Sequence, residues 1–239
     1  MKSMLKKILG LDRNELPRIV WVRTELQSLP RGIRLLDAGA GEQQYKKFCQ
    51  HLHYVSQDFG QYNGKGDQRG LQTGSWSYSG IDIVSDITDI PEPDASFDAI
   101  LCTEVFEHIP DPLRALDEFR RILKPGGTLI LTAPFASLVH FAPYYFSSGF
   151  SRYWYEHHLT QRGFELVKLE ANGDWYDLLS QEIARLPSML ARRSRLISVI
   201  FLPVSLLMLI VVRISGLIGK RVPSTDVAVL GYHCLARKA

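Results

Sequence analysis

The 239-residue chain predicts an α/β domain built on a doubly wound, mostly parallel sheet. Three observations carry that prediction. Strand-like and helix-like segments alternate over the first 170 residues or so. Residues 97–102 are a nearly continuous apolar run, the pattern of a parallel strand covered on both faces. The first three candidate strands end in an acid or a glycine turn, where open α/β sheets bind their ligands.

The elements follow in order. Residues 14–29 read as a helix, with Ile19, Val20, Val22, Leu26 and Leu29 as its apolar face and Pro30-Arg31-Gly32 as its stop. A short strand over 33–36 ends at Asp37. A helix is expected after the glycines, from about 43 to 49, and a second strand, 54–57, ends at Asp58. Residues 59–80 contain six glycines, which makes a helix unfavourable. A loop of this length is functional or disordered. With Tyr62, Trp76 and Tyr78 it reads as a lid or as a mobile connection. Residues 81–85 and 97–102 are the third and fourth strands. Asp111 caps the next helix, Pro112 takes its first position, and Leu113, Leu116, Phe119, Ile122 and Leu123 form its stripe. Lys124-Pro125-Gly126-Gly127 ends it. A strand over 128–132, a helix within 149–162 and a strand over 164–169 complete this region.

Charge is unevenly placed. Residues 180–239 carry nine Lys/Arg against Glu182 and Asp226, a net of +7. The chain total is +3, so residues 1–179 carry −4. An acidic main body is a poor match for nucleic acid, which is bound by neutralising phosphates. Cys49, Cys102 and Cys234 are odd in number and form no CxxC pair, which fits a reducing, cytoplasmic setting. Residues 1–11 are short, basic and amphipathic, without the apolar core of a signal peptide. They read as a surface helix or a membrane-surface contact.

The chemistry centres on Asp37-Ala38-Gly39-Ala40-Gly41. Glycines at 39 and 41 let a ligand approach the backbone, where a Cβ would obstruct it. A dinucleotide fingerprint would require glycine at position 44, where Gln44 stands. It would also place a pyrophosphate against Asp37, which repels it. A cofactor with a cationic amino group fits Asp37 better. Asp58 suits ribose hydroxyls in either reading, because a carboxylate accepts from two donors.

The ordered set Leu35-Leu36-Asp37-Ala38-Gly39-Ala40-Gly41, Asp86-Ile87, Ser96-Phe97-Asp98-Ala99-Ile100, Glu104-Val105-Phe106-Glu107-His108 and Leu123-Lys124-Pro125-Gly126-Gly127 resembles the class I S-adenosylmethionine-dependent methyltransferases, over roughly residues 33–170. It is most similar to their small-molecule, type 11-like branch. The resemblance implies a Rossmann-like sheet of seven strands with the last antiparallel, and S-adenosylmethionine as cofactor. It implies that Asp37, Gly39 and Gly41 line the methionine end, that Asp58 binds ribose, and that Asp86 and Ile87 meet adenine. Thr103 and Glu104 would flank the sulfonium. The family often has a third glycine or a small residue after Gly41; here it is Glu42.

A sulfonium methyl is already activated, so the protein's task is alignment, with a base where the acceptor is a hydroxyl. His140 and His108 are the general-base candidates, beside His157, His158, Tyr144 and Tyr145; each histidine also has a structural reading. Glu104, Glu107 and His108 are conceivable metal ligands, but the resemblance accounts for them without a metal, so none is expected. The aromatic run from Tyr144 to Tyr155 reads either as the roof of an acceptor pocket or as core packing.

Residues 196–212 are an uncharged run interrupted by Pro203, at the lower limit for a membrane span. Residues 227–236 read as the final strand, and a true span would separate that strand from its sheet. The expected organisation is therefore an N-terminal helical segment (1–30), the cofactor-binding core (31–175), a basic hydrophobic helical insertion (176–224) and the final strand (225–239). Residues 190–221 would contact a membrane peripherally as a Pro-broken hairpin, or pack as a buried helix or homodimer interface. The expected function is methyl transfer to an O or N atom of a small-molecule, glycan or lipid-linked acceptor. A dinucleotide-dependent oxidoreductase and a non-catalytic binding module are the alternatives.

Overall fold

The computed structural model describes residues 13–219 and 224–239. The expected surface helix at 1–11 lies outside them. Helix α1 (Glu15–Ser28) is followed by strands β1 (Arg34–Ala38), β2 (His53–Asp58), β3 (Ile83–Val84) and β4 (Phe97–Thr103). Helix α2 (Pro112–Ile122), β5 (Leu123–Pro134), α3 (Arg152–Gln161) and β6 (Phe164–Asn172) come next. Helices α4 (Trp175–Ala191) and α5 (Arg195–Ile218) then precede β7 (Gly231–Lys238).

The strands form one seven-stranded sheet in the order β3-β2-β1-β4-β5-β7-β6. Neighbours from β3 to β5 are parallel, and β7 runs antiparallel to β5 from Thr128 opposite Arg237 to Pro134 opposite Gly231. The α/β class, the mostly parallel sheet and the helical insertion before the last strand are as the sequence predicts. Strand order reverses between β1 and β4, so the ends of β1, β2 and β4 meet at the switch point.

The chain divides into two compact units, residues 18–170 with 231–239, and the described residues up to Pro17 with 171–230. In the first unit, Leu35, Leu36, Ile100, Leu101, Leu129 and Ile130 are fully buried in the central strands. Asp111 caps α2 through its side chain, which accepts from the Arg114 N–H at 3.0 Å, with Pro112 in the first turn. Burial then follows the predicted stripe through Leu116, Phe119 and Ile122.

Several local expectations are corrected. Residues 43–49 form only a short 3-10 turn, Lys46–Phe48, because Gln43 takes a left-handed φ of 55° and the chain turns tightly there. On α1, Val20 faces out while Glu25 is buried, its carboxylate held by Lys168 at 2.6 Å. The third strand shrinks to two residues, since Asp82 turns its carboxylate onto the Ser56 N–H and hydroxyl at 2.8 and 2.7 Å. The last strand begins at Gly231, and Val227 is exposed.

The expected break at Pro203 is absent. Pro203 lies inside a continuous α5; it removes one helical hydrogen bond without ending the helix. The hairpin turns instead at 192–194, where the Ser194 side chain accepts from the Ile197 N–H. In this second unit, Ser198 Oγ donates to the Pro187 carbonyl at 2.7 Å, and Asp177 pairs with Arg213 at 3.0 Å. These contacts, with Gly216 against Tyr176, fix α4 and α5 as an antiparallel pair.

Leu101 lies in the core cluster shared by α1, β1 and β4. Leu101→Ala is expected to cost about 2–5 kcal/mol, read as a lowered denaturant midpoint. Val227→Ala, at an exposed position, should leave the midpoint unchanged.

Candidate functional site

The site grows from the ends of β1 and β2. Asp37, near the end of β1, is 2% exposed and accepts the Tyr54 hydroxyl at 2.6 Å. Burial pushes its carboxyl up to about 7; the Tyr54 hydrogen bond holds it down, and nearby Asp58 adds to the rise. Asp37 is therefore poised between its neutral and charged forms near neutral pH, and a cation placed beside it would favour the charged form.

The glycine turn is built from backbone hydrogen bonds. The Gly39 and Ala40 N–H groups both donate to the Gln57 carbonyl at 2.9 Å. Gly39 has φ 73°, and a Cβ there would sit 2.5 Å from Val105 Cγ2. Gly41 has φ 50°, and its N–H donates to Asp58 Oδ2 at 2.9 Å. Asp58 Oδ1 accepts from the Gly60 N–H at 3.1 Å. Asp58 thus braces the turn itself while keeping carboxylate lone pairs for other donors. Burial raises its pKa, and the amides of Gly60 and Gly41 oppose that rise.

Asp86 is exposed and accepts from the Thr88 N–H and hydroxyl at 2.8 Å each; neighbouring Ile87 is buried. Thr103 ends β4. Glu104 follows at φ 53°, an uncommon conformation for a non-glycine residue. Its carboxylate is held by Arg18 at 2.8 Å and by the Thr132 hydroxyl at 3.0 Å.

The glycine-rich segment 59–80 is anchored over this turn. Tyr62 is buried and stacks on Phe141 at 4.5 Å, and Trp76 meets both rings edge-on at 5.8 and 5.2 Å. The Trp76 ring also occupies the space that a Cβ on Gly41 would need. Phe59 packs edge-on against Tyr144 at 4.9 Å, and Leu71 bridges to His140. Of the two readings left by the sequence, packing fits a closed cover better than a mobile connection.

Two of the candidate bases come together. His108 and His140 have ring centroids 4.6 Å apart, and Tyr145 borders His140 at 5.4 Å. His108 Nδ1 lies 2.6 Å from the Tyr144 carbonyl, and His140 Nδ1 lies 2.8 Å from the Leu138 carbonyl. A carbonyl only accepts, so each Nδ1 carries a proton, and in the neutral ring Nε2 is then the basic nitrogen. Both Nε2 atoms face Glu107 Oε1, at 3.7 and 3.9 Å. Glu107 is 1% exposed, and burial next to Glu104 raises its pKa well above the usual carboxylate range. Burial pushes His108 down to about 4. Glu107, His108 and His140 offer ligand atoms within 4.8 Å of one another, a spacing able to hold a divalent cation. Glu104, conceived from sequence as a ligand, is engaged by Arg18 and Thr132 instead.

His157 and His158 lie together on α3, outside this cluster. The aromatic run divides: Phe150, Trp154 and Tyr155 pack in the interior with Phe106, whereas Phe146 and Tyr153 are exposed. Sequence reasoning missed Arg18, Tyr54, Gln57, Val105 and Phe141. Gln57, beside Asp58 at a strand end, and Val105, inside the segment 104–108, carried a local signal.

Residues 36–131 match the family model of a methyltransferase domain. Over 188 residues the chain is 27% identical to a demethylmenaquinone methyltransferase of Clavibacter sepedonicus, covering 75% of this chain and 69% of the relative. A 41-residue stretch is 51% identical to a ubiquinone biosynthesis O-methyltransferase of Xanthomonas campestris, covering 17% of each chain. The chain thus spans only a small part of that second relative. Among solved structures, the cyclase SpnF has the same fold with a TM-score of 0.56 at 20% identity, over 92% of this chain and 80% of that one. With the antiparallel last strand, these matches support a class I S-adenosylmethionine-dependent methyltransferase domain over residues 36–131.

Proposed function

We propose that the protein transfers a methyl group from S-adenosylmethionine to an O or N atom of a small-molecule, glycan or lipid-linked acceptor. The observation that carries this reading is the buried Asp37 carboxylate beside the glycine turn, poised near neutrality and suited to a cationic amino group. One relative is named a demethylmenaquinone methyltransferase and another a ubiquinone biosynthesis O-methyltransferase, which supports a small organic acceptor. We place the protein in the cytoplasm.

Asp37 would hold the amino group and the Gly39–Gly41 turn would line the methionine end, the missing Cβ atoms at 39 and 41 making room for Val105 and Trp76. Asp58 accepts from ribose hydroxyls, while Asp86 and Ile87 border the adenine. Thr103 and Glu104 line the sulfonium side, with Arg18 and Thr132 holding Glu104 in place. S-adenosylmethionine supplies the activated methyl when bound. The protein's contribution is alignment, worth several kcal/mol in favourable systems. The Tyr62, Trp76 and Phe141 cluster excludes water from the glycine turn. His140 takes the acceptor proton at Nε2, and the Leu138 carbonyl fixes the tautomer that makes this possible.

Two experiments test this reading. Titration calorimetry should show S-adenosylmethionine binding and no comparable NAD binding. Binding a cation favours ionised Asp37, so cofactor binding releases a proton wherever Asp37 is protonated in the free protein. Affinity should therefore fall as pH drops below about 7, approaching tenfold per unit. Asp37→Asn should weaken binding and flatten this dependence. Tight NAD binding without S-adenosylmethionine binding would overturn the assignment. For the base, His140→Ala should lower kcat about 100-fold toward a hydroxyl acceptor. Cofactor affinity should be retained, and His157→Ala should have no effect on either.

A further inference from the structure

We propose that the α4–α5 hairpin docks the protein on an anionic lipid bilayer, with α5 lying in the plane of the headgroup–acyl boundary. This goes beyond the methyl-transfer reading and does not depend on it. Helix α5 has 24 residues and no charge between Arg195 and Arg213. Only Ser205 and Leu209 are buried along it. Leu196 is 70% exposed, Val199 66%, Leu207 61% and Ile218 74%. Large apolar patches on a soluble surface mark an interaction site.

The distribution of that exposure selects the occupant. Val199, Ile200, Phe201 and Leu202 are consecutive and all exposed, so they cover a full turn of the helix. Helix α4 covers one stripe, through Ser198 against Pro187 and Gly216 against Tyr176. A second copy of the chain would cover one further stripe, whereas a lipid phase wets all that remains. The charges agree. Arg192, Arg193 and Arg195 are exposed together at the hairpin turn, and Lys220 and Arg221 follow α5 in the sequence. Basic residues beside an apolar helix are attracted to anionic headgroups, each by about 1 kcal/mol near the surface.

The same charges set the orientation. A spanning hairpin would carry the arginines of the turn through the hydrocarbon, with the Glu182–Arg185 pair of α4 behind them. A charge at the bilayer centre costs at least about 2.5–3.5 kcal/mol. β7 must also return to pair with β5, so a single crossing by α5 is excluded by the sheet. With α5 flat, its roughly 36 Å length is wetted by lipid and every arginine stays at headgroup level.

The test is sedimentation of the full chain, without cofactor, with two kinds of vesicle. One is phosphatidylcholine alone, and the other is phosphatidylcholine mixed with phosphatidylglycerol. Binding should be at least tenfold stronger to the anionic vesicles and should weaken with salt. Arg192→Gln/Arg193→Gln/Arg195→Gln should reduce it to the neutral-vesicle level. Val199→Asp/Leu207→Asp should abolish it on both. The substituted side chains are exposed, so circular dichroism and cofactor affinity should be unchanged in both variants. A tryptophan placed by Leu207→Trp should be quenched best by lipids brominated near the headgroup. Three results would overturn the proposal. The intact chain could stay in the supernatant with anionic vesicles at low salt. It could instead form a dimer that Val199→Asp/Leu207→Asp dissociates, with no vesicle binding. Or the tryptophan could be quenched best by the deepest bromine, as in a span. Failure of cofactor binding in calorimetry would leave the vesicle result unaffected.

Discussion

Two carboxylates, Asp37 and Asp58, are buried at the ends of neighbouring parallel strands, and the rest of the site is arranged around keeping them there. Burying an acid without a partner is costly. The structure meets that cost with Tyr54 on Asp37, and with the amides of Gly41 and Gly60 on Asp58. The glycine turn is therefore both a place where a ligand can approach and the clamp that holds Asp58. Gln57 adds to it by receiving two turn amides on its carbonyl while its side-chain amide donates to the Ser85 carbonyl. The first three strands are tied into one rigid edge around the acids.

The parts of the molecule legible in the sequence are those governed by local pattern. The alternation of elements, the Asp111–Pro112 helix start and the Asp37 turn each depend on a few contiguous residues. The errors have a common origin. The helix expected at 43–49 gives way to the left-handed backbone of Gln43. Pro203 predicts a break, but the apolar run on either side of it continues as one helix. Partners distant in sequence left no trace: Arg18 meets Glu104 across 86 positions, and Phe141 closes a cluster with Tyr62 and Trp76. Pairings of that kind are created by the fold.

The segment 59–80 shows how a glycine-rich stretch can be specific. Gly64 lies against the backbone of Ser75, and Gly66 lies against the Ala142 carbonyl, so a side chain at either position would clash. The Asn63 side chain caps the amides of Lys65 and Gly66, and Tyr62 binds Gln72 at 2.7 Å. Glycine here permits close layering of backbone over the site, and the aromatic residues supply the adhesion. Composition alone does not distinguish this from a flexible connection, because the two differ in contacts and not in residue types.

The position of β7 has a consequence for biosynthesis. It pairs with β5 inside the sheet, between β5 and β6, although it is the last strand in the chain. While the chain emerges from the ribosome, β1 to β6 are available long before residues 231–238, and the slot between β5 and β6 stays open. The apolar α5 emerges during that same interval. The nascent protein thus presents an unfilled sheet slot and a bare hydrophobic helix together, a combination prone to misassociation until the final strand closes the sheet.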